Sequence, residues 1–583
     1  MVEGWLVSLF ALLCPAASAP GTAADGRVLE VPANETVQSA LWNARPGDRL
    51  RLSGRHEERI FPQFDITLEA GEDGSLVGRD GPALSVGPGI TVRVAGLLLE
   101  RTNTPGLPGG PVVLVRDGGL QLLGTRLVAA QDEALRIAGH GHARLDDTIL
   151  QGLGAPALRV LDRGLADIEG GRVSGEGPQV VHVSEHGSLR MVDGLVVGRR
   201  TLIRGEDDSR LTAGRMRLEG GEVGIELAQR AKARLYGTTL KDQRGLALAL
   251  GDQTDLAVAD ATVSPAVGMA LALNGDATLT SRRTRWTGQP GRAGLMGGQA
   301  RWLGSDDAWE GWPGEGVTIA DMAGLAHHGL RVRRLERPMI QATGHGHVVL
   351  TNADAEGFAE DGLVLTGEAR LHWLGGRLSQ TGRDAVVAGG RTLATLDGVR
   401  LEANGRHGIV GDDEAQLTLR KVRLGGFREV SLLLRNRSRA VATELDIEGH
   451  KGTGAAAIGD ARMALDSAEI KGGRVGVLFL DRADGELRNC RISDHAVDGV
   501  VVQDMAHPRL QGLEVRGQGQ AGVRILDGAR PVLDRSVLVG NGIGVSVEAP
   551  GRSRGQPRLG MNRVVDNTLL DHEGLLPGPV LTD

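Results

Sequence analysis

A branched or bulky apolar residue closes a short alternating segment every 22 or 23 residues along most of this chain. The series begins Leu127, Leu150, Val173, passes through Trp286, Trp309 and Val332, and ends Ile492, Val515, Val537, with no longer step anywhere in it. A repeat of that length is too short for a two-helix unit or a propeller blade, and a single copy cannot bury its own apolar side. A second apolar pair follows each marker with period-2 alternation: Leu135 and Ile137, Leu246 and Leu248, Met269 and Leu271, Val500 and Val502. Such alternation marks a half-buried strand, and Gly, Asp, Asn and Ser fill the gaps. The spacing therefore predicts an all-β coil of about 21 rungs, each turn stacked on the last through parallel ladders about 4.8 Å apart.

Composition agrees with many tight turns around small apolar layers: 89 glycines and only 2% aromatic residues. The net charge of -7 is small for 583 residues and both signs are interspersed, which excludes the electrostatic footprint of a nucleic-acid binder. Residues 1–24 read as a secretory signal peptide, with an apolar run from Leu6 to Leu13 and small residues at Ala17-Ser18-Ala19 and Thr22-Ala23-Ala24 for cleavage. No later segment approaches the roughly 20 apolar residues of a membrane span, so the expected location is secreted, cell-surface or periplasmic. Once the signal is removed Cys490 is the one cysteine left, and no intramolecular disulfide can form. The expected division is signal peptide 1–24, N-terminal cap 25–60, and a single repeat domain 61–583 that includes its own C-terminal cap.

The stretch "NETVQSALWNARPGDRLRLSGRHEERI" has a short helix that Asn34 or Thr36 can cap, then a Pro-Gly-Asp turn, then a first strand. With the repeat behind it, the chain resembles the right-handed parallel β-helix proteins of the pectin-lyase-like superfamily over nearly its whole length. That resemblance implies a right-handed solenoid with a capping helix. It also brings in carbohydrate-active enzymes, whether lyases, hydrolases or epimerases, as an alternative function.

Two copies of a Gly-His-Gly-His motif, "AGHGHARL" at His140 and "TGHGHVVL" at His345, invite a metal or proton-relay reading. Both first histidines lie 13 residues past a marker, so they share a column nine rungs apart, roughly 43 Å at the spacing of a sheet. The motif is then one turn used twice, with Gly supplying positive φ. Asp306-Asp307 resembles the paired aspartates of polygalacturonases, but no Asn-Thr-Asp or Arg-x-Lys motif accompanies it, and its place in the rung turns it away from His345. No catalytic residue is assigned.

Among the clustered tryptophans, Trp286 and Trp309 take the inward marker position, while Trp302 and Trp373 match columns of leucine. Trp312 is the one whose direction the columns do not fix, and it is the residue assigned to ligand binding by sugar stacking. Asp481, Asp504 and Asp527 recur at one corner of successive rungs, where stacked carboxylates repel unless solvated, bridged or used by their own turns. They are the metal candidates, with calcium as the ion. The uniform spacing leaves no long loops to wall a cleft. The expected function is thus an exported, elongated scaffold that binds polysaccharide or a cell-surface protein without catalysis.

Overall fold

The computed structural model describes residues 26–102, 109–288, 291–402, 405–548 and 557–573. The expected signal peptide lies outside them, as do the final residues of the expected C-terminal cap. The described chain forms two compact units, one ending at Gly175 and one starting at Glu176. The architecture is an all-β parallel solenoid of about 23 turns, slightly more than the expected 21. Its one helix among the described residues is Val37–Asn43.

Most turns carry three short parallel strands; in three turns the first two merge into one long strand, His347–Phe358, Arg370–Thr381 and Leu393–Glu402. In the first unit the three are exemplified by His142–Asp146, Ile149–Gly152 and Leu158–Val160, paired with Gly119–Leu123, Arg126–Ala129 and Leu135–Ala138. In the second, Lys232–Tyr236, Thr239–Lys241 and Leu246–Leu250 pair with Asp255–Ala259, Thr262–Ser264 and Met269–Leu273. The expected markers form the buried centre of the second of these ladders, as in Leu127 against Leu150 and Trp286 against Trp309. Two assignments shift. Val515 pairs with Leu538, and Val537 pairs with Glu514 half-buried, because two adjacent apolar residues fit the period equally well until the register separates them. In the third ladder the buried pairs are Leu248 with Leu250 and Leu271 with Leu273, while Leu246 and Met269 sit half-buried at the strand start. Period two fits either choice, and pairing with Ile225 and Leu227 decides it.

The corner between third and first ladders runs through left-handed backbone at Asp117, Gly139 and Asp162 in the first unit. In the second unit Asp252, Gly275, Gly298, Asp321, Gly344, Asp481, Asp504 and Asp527 repeat it. Within the second unit the Gly-His-Gly-His turn at Gly344 and the acidic corner therefore occupy equivalent turns, and the first copy takes the same kind of turn in its own unit. A side chain at such a position costs roughly 1–2 kcal/mol, and aspartate recovers part of it by reaching one turn back. Asp162 accepts the Gly139 N–H at 2.7 Å, Asp252 that of Gln229 at 2.8 Å, and Asp321 that of Gly298 at 2.9 Å. Asp321→Ala is expected to cost about 1–3 kcal/mol, the lost hydrogen bond adding to the backbone strain, and Asp321→Gly less because it relieves the strain. Chemical-denaturation midpoints for the two variants check the order, and equal losses would contradict it.

The first unit begins under its helix. Thr36 caps it, accepting the Ser39 N–H at 3.3 Å, and the Glu58 carboxylate accepts the N–H groups of Val37 and Gln38 at 2.5 and 3.0 Å. Val37 and Leu41 face inward and cover the first coil. Late in the second unit a polar ladder runs through the interior. Gln518 Oε1 accepts the His495 N–H at 3.0 Å, Asn541 Oδ1 that of Gln518 at 3.1 Å, and Asn567 Oδ1 that of Asn541 at 3.0 Å. These bonds satisfy corner amides that would otherwise be buried alone. Cys490 is buried nearby, and that burial pushes its thiol up to about 11. It behaves as a small core residue.

Candidate functional site

Trp312, the expected stacking residue, is fully buried. Its ring lies on Gly288, where a Cβ would come within 2.1 Å of it. The following turns place Leu335 and Phe358 at the equivalent corner, so the direction of Trp312 follows from an apolar column, and its face is closed to a sugar. Asp481 accepts the Gly459 N–H at 3.1 Å and Asp504 that of Asp481 at 3.4 Å, so both serve the turns they stand in, as Asp321 does; Asp527 takes the same left-handed backbone one turn on. Among the described residues no three His, Cys, Asp or Glu side chains converge on a metal position. His345 pairs with Glu368 at 3.2 Å, and the backbone of His140 donates to Asp117 at 2.7 Å.

Three titratable groupings of the second unit bear on function. The first is interior. Asp306 is exposed, but Asp307 is fully buried, its carboxylate taking the Ser281 hydroxyl and the Thr284 N–H, the latter at 2.8 Å. The partner the sequence reading missed is His327, also fully buried, with Nε2 3.8 Å from Asp307 and its ring 5.2 and 5.6 Å from those of Trp302 and Trp309. Gly304 makes the space, since a Cβ there would lie 1.8 Å from His327 Cε1. Burial raises the Asp307 carboxyl to about 6 and lowers the His327 imidazole to about 3. The column mates Leu350 and Trp373, both inward, are the signal that would have placed His327 inside.

The second grouping stacks along the corner before the third ladder. Asp384 accepts from His407 Nδ1 at 2.9 Å and from Arg406 at 3.1 Å, while His407 Nε2 meets Glu429 at 3.2 Å. Burial pushes the Asp384 carboxyl upward, but the bonds from His407 and Arg406 outweigh it and hold the group at about 2. Asp498 repeats the solution with Arg524, at 2.9 and 3.1 Å. Each buried acid closes on its own arginine, so the network holds charge in place and presents no open group.

The third lies on the outer face of the first ladder, across Thr278–Arg282, Arg301–Ser305, Gly324–His328, His347–Thr351 and Arg370–Leu374. Outward from these five strands point Arg282, Arg301, His328, His347, Arg370 and His372, and no carboxylate. Arg301 and Arg370 stand in one column with Gly324 and His347 between them, about 14 Å apart over three turns. Many surface arginines are paired, as Arg283 is with Asp260 at 2.6 Å; among the described residues Arg301 and Arg370, like Arg244 and Arg439, hold no ion pair. Gly324 and Ala326 make that turn shallow between the Arg301 and His347 rows. Burial, then the charges of Arg370 and His372, lower the His347 imidazole, so it stands neutral among cations and can both donate and accept. His347 is the second histidine of "TGHGHVVL". The motif contributes to a site, though on a sheet face and not as a metal pair. The same column arithmetic applied to outward positions would have found this face.

Residues 430–574 match the family model for the right handed beta helix region. No curated protein sequence matches the chain. Among solved structures, the PL6 family alginate lyase AlyGC is similar at 9% identity over 87% of this chain and 99% of its own, with a TM-score of 0.26. The A-module of the Azotobacter vinelandii mannuronan C-5 epimerase AlgE4 is similar at 12% identity over 86% of this chain and 90% of its own, with a TM-score of 0.13. The parallel ladders and repeating corner columns make the described chain a parallel β-solenoid, and residues 430–574 of it match a right-handed β-helix region.

Proposed function

We propose that the protein is an exported β-helix scaffold that binds an anionic polysaccharide along the outer face of its first ladder, without catalysis. The observation that carries the reading is the acid-free grid of Arg282, Arg301, His328, His347, Arg370 and His372 on an open, flat sheet. Arginines about 14 Å apart in one column, with imidazole and small side chains between them on a flat surface, match a polymer that carries carboxylates along its length. Unpaired arginines are the groups best suited to its carboxylates. The binding is the sum of repeated weak contacts and weakens with salt.

One observation favours a second reading, a carbohydrate-active enzyme. A neutral imidazole at His347 beside the Arg370 guanidinium has the makings of a general base next to an anion-binding cation. The test is to pass the full chain over acidic and neutral polysaccharides, with and without calcium, recording retention together with new reducing or unsaturated ends. Retention on acidic polymers without product is the expected result. Product that disappears in His347→Ala would establish the enzyme instead, and retention only with calcium would return attention to the Asp481 corner.

A further inference from the structure

Five of the six described tryptophans are buried, and Trp42 stands apart at 79% exposed on the outer side of the capping helix in the first unit. One turn earlier, Gln38 accepts the Phe61 N–H on its side-chain oxygen at 3.3 Å, which ties the backbone of Phe61, whose side chain is 41% exposed, to the helix. The Arg59 guanidinium lies over that ring at 5.5 Å from its centroid. We infer that Trp42 and Phe61, edged by Gln38 and Arg59, form a stacking platform for a sugar ring of an acidic polysaccharide, a subsite separate from the cationic sheet face. The inference rests on the polysaccharide reading above.

The chemistry selects the occupant. An aromatic face covers the apolar side of a pyranose, while a side-chain amide and a guanidinium at its edge meet hydroxyls and a carboxylate. Two exposed rings give far less apolar area than a stable protein interface requires. The helix has seven residues, buries Val37 and Leu41, and has the exposed Glu35 close to its start, so it lacks the broad apolar, cationic face with which a helix lies in a lipid surface.

A hexameric polyuronate titrated calorimetrically into the full chain, with acrylamide quenching of indole fluorescence in parallel, tests the platform. The wild type is expected to bind at two classes of site and to show shielding of its quenchable indole. Trp42→Ala should lose one class, with affinity there falling about fivefold or more, and Trp42→Phe should keep most of it. Arg301→Glu/Arg370→Glu should lose the other class and keep the shielding. Unchanged binding and stoichiometry in Trp42→Ala, with loss confined to the arginine variant, overturns the platform and leaves the sheet face standing. No binding by the wild type overturns both. Trp42-dependent capture of phosphatidylcholine/phosphatidylglycerol vesicles in place of the hexamer overturns the sugar as occupant.

Discussion

The protein is expected to lose stability steeply as the pH falls below about 6.5, because three imidazoles are folded into its interior uncharged. His327 is held at about 3 by burial; His495 is held at about 4 by burial and by the neighbouring His450. Burial lowers His450 as well, and its ring lies 5.5 Å from that of His495, so both cannot be charged together. A folded-state value below the unfolded 6.5 means that the stability these groups provide is complete above pH 6.5 and is lost as the pH falls toward the folded value. Each can remove up to about 1.4 kcal/mol per pH unit over that window. Asp307 works the other way. Its carboxyl is raised to about 6, so its stabilising share is complete below about 3.8 and lost as the pH rises through 6. One carboxylate offsets part of three imidazoles, and the net slope remains downward on acidification. Urea midpoints measured from pH 8 to 4.5 should be flat at first and then fall. His327→Leu should flatten part of the descent, since Leu350 already occupies that column one turn on, and Asp307→Asn should raise stability at neutral pH. A midpoint unchanged down to pH 4.5 would contradict the burial of these groups.

The second large effect is expected from Trp302→Ala. Trp302 is centred between two other indoles, 5.1 Å from Trp286 and 5.3 Å from Trp309, and its Nε1 donates to the Ser281 hydroxyl at 2.7 Å. Truncating a buried tryptophan removes its burial and leaves a cavity, about 3–5 kcal/mol. Here it also strips the Ser281 hydroxyl of its donor, so the loss should reach the upper end of that range. Trp302→Phe, which keeps ring contact and loses the N–H, should cost roughly a third as much, near the price of one buried hydrogen bond. Unfolding followed by near-ultraviolet circular dichroism reads both the midpoint and the disappearance of the coupled indole signal. Equal costs for the two variants would show that the hydrogen bond, and not the packing, dominates.

Much of this architecture is legible in the sequence, since a coil with a fixed step repeats one structural decision many times. Within each unit the markers, Leu127 to Val173 and Val196 to Val515, fall in a buried column because β-ladder pairing converts a 22- or 23-residue step into vertical alignment. What resisted reading was any position where two neighbours satisfy the same pattern, as Val537 and Leu538 do, or Leu246 and Leu250. Buried polar residues form the second blind spot. His327 and Asp307 look like surface chemistry until their columns are seen to be inward; hydrogen bonds hold Asp307 there, and a glycine-made space takes the His327 ring. The cationic face escaped for a different reason. Hydrophobic periodicity locates inward columns, whereas Arg301, His347 and Arg370 stand in an outward one, which shows only when the same step is applied to the polar positions.

The central claim is that this sheet face holds an anionic polymer. The most direct measurement is the affinity of the full chain for a polyuronate at several salt concentrations, compared among the wild type, Arg301→Glu/Arg370→Glu, and Arg244→Glu, which alters an exposed arginine on another part of the turn. The claim predicts a drop of about tenfold or more and a shallower salt dependence for the double variant alone. Equal affinities and equal salt slopes for all three proteins would contradict it.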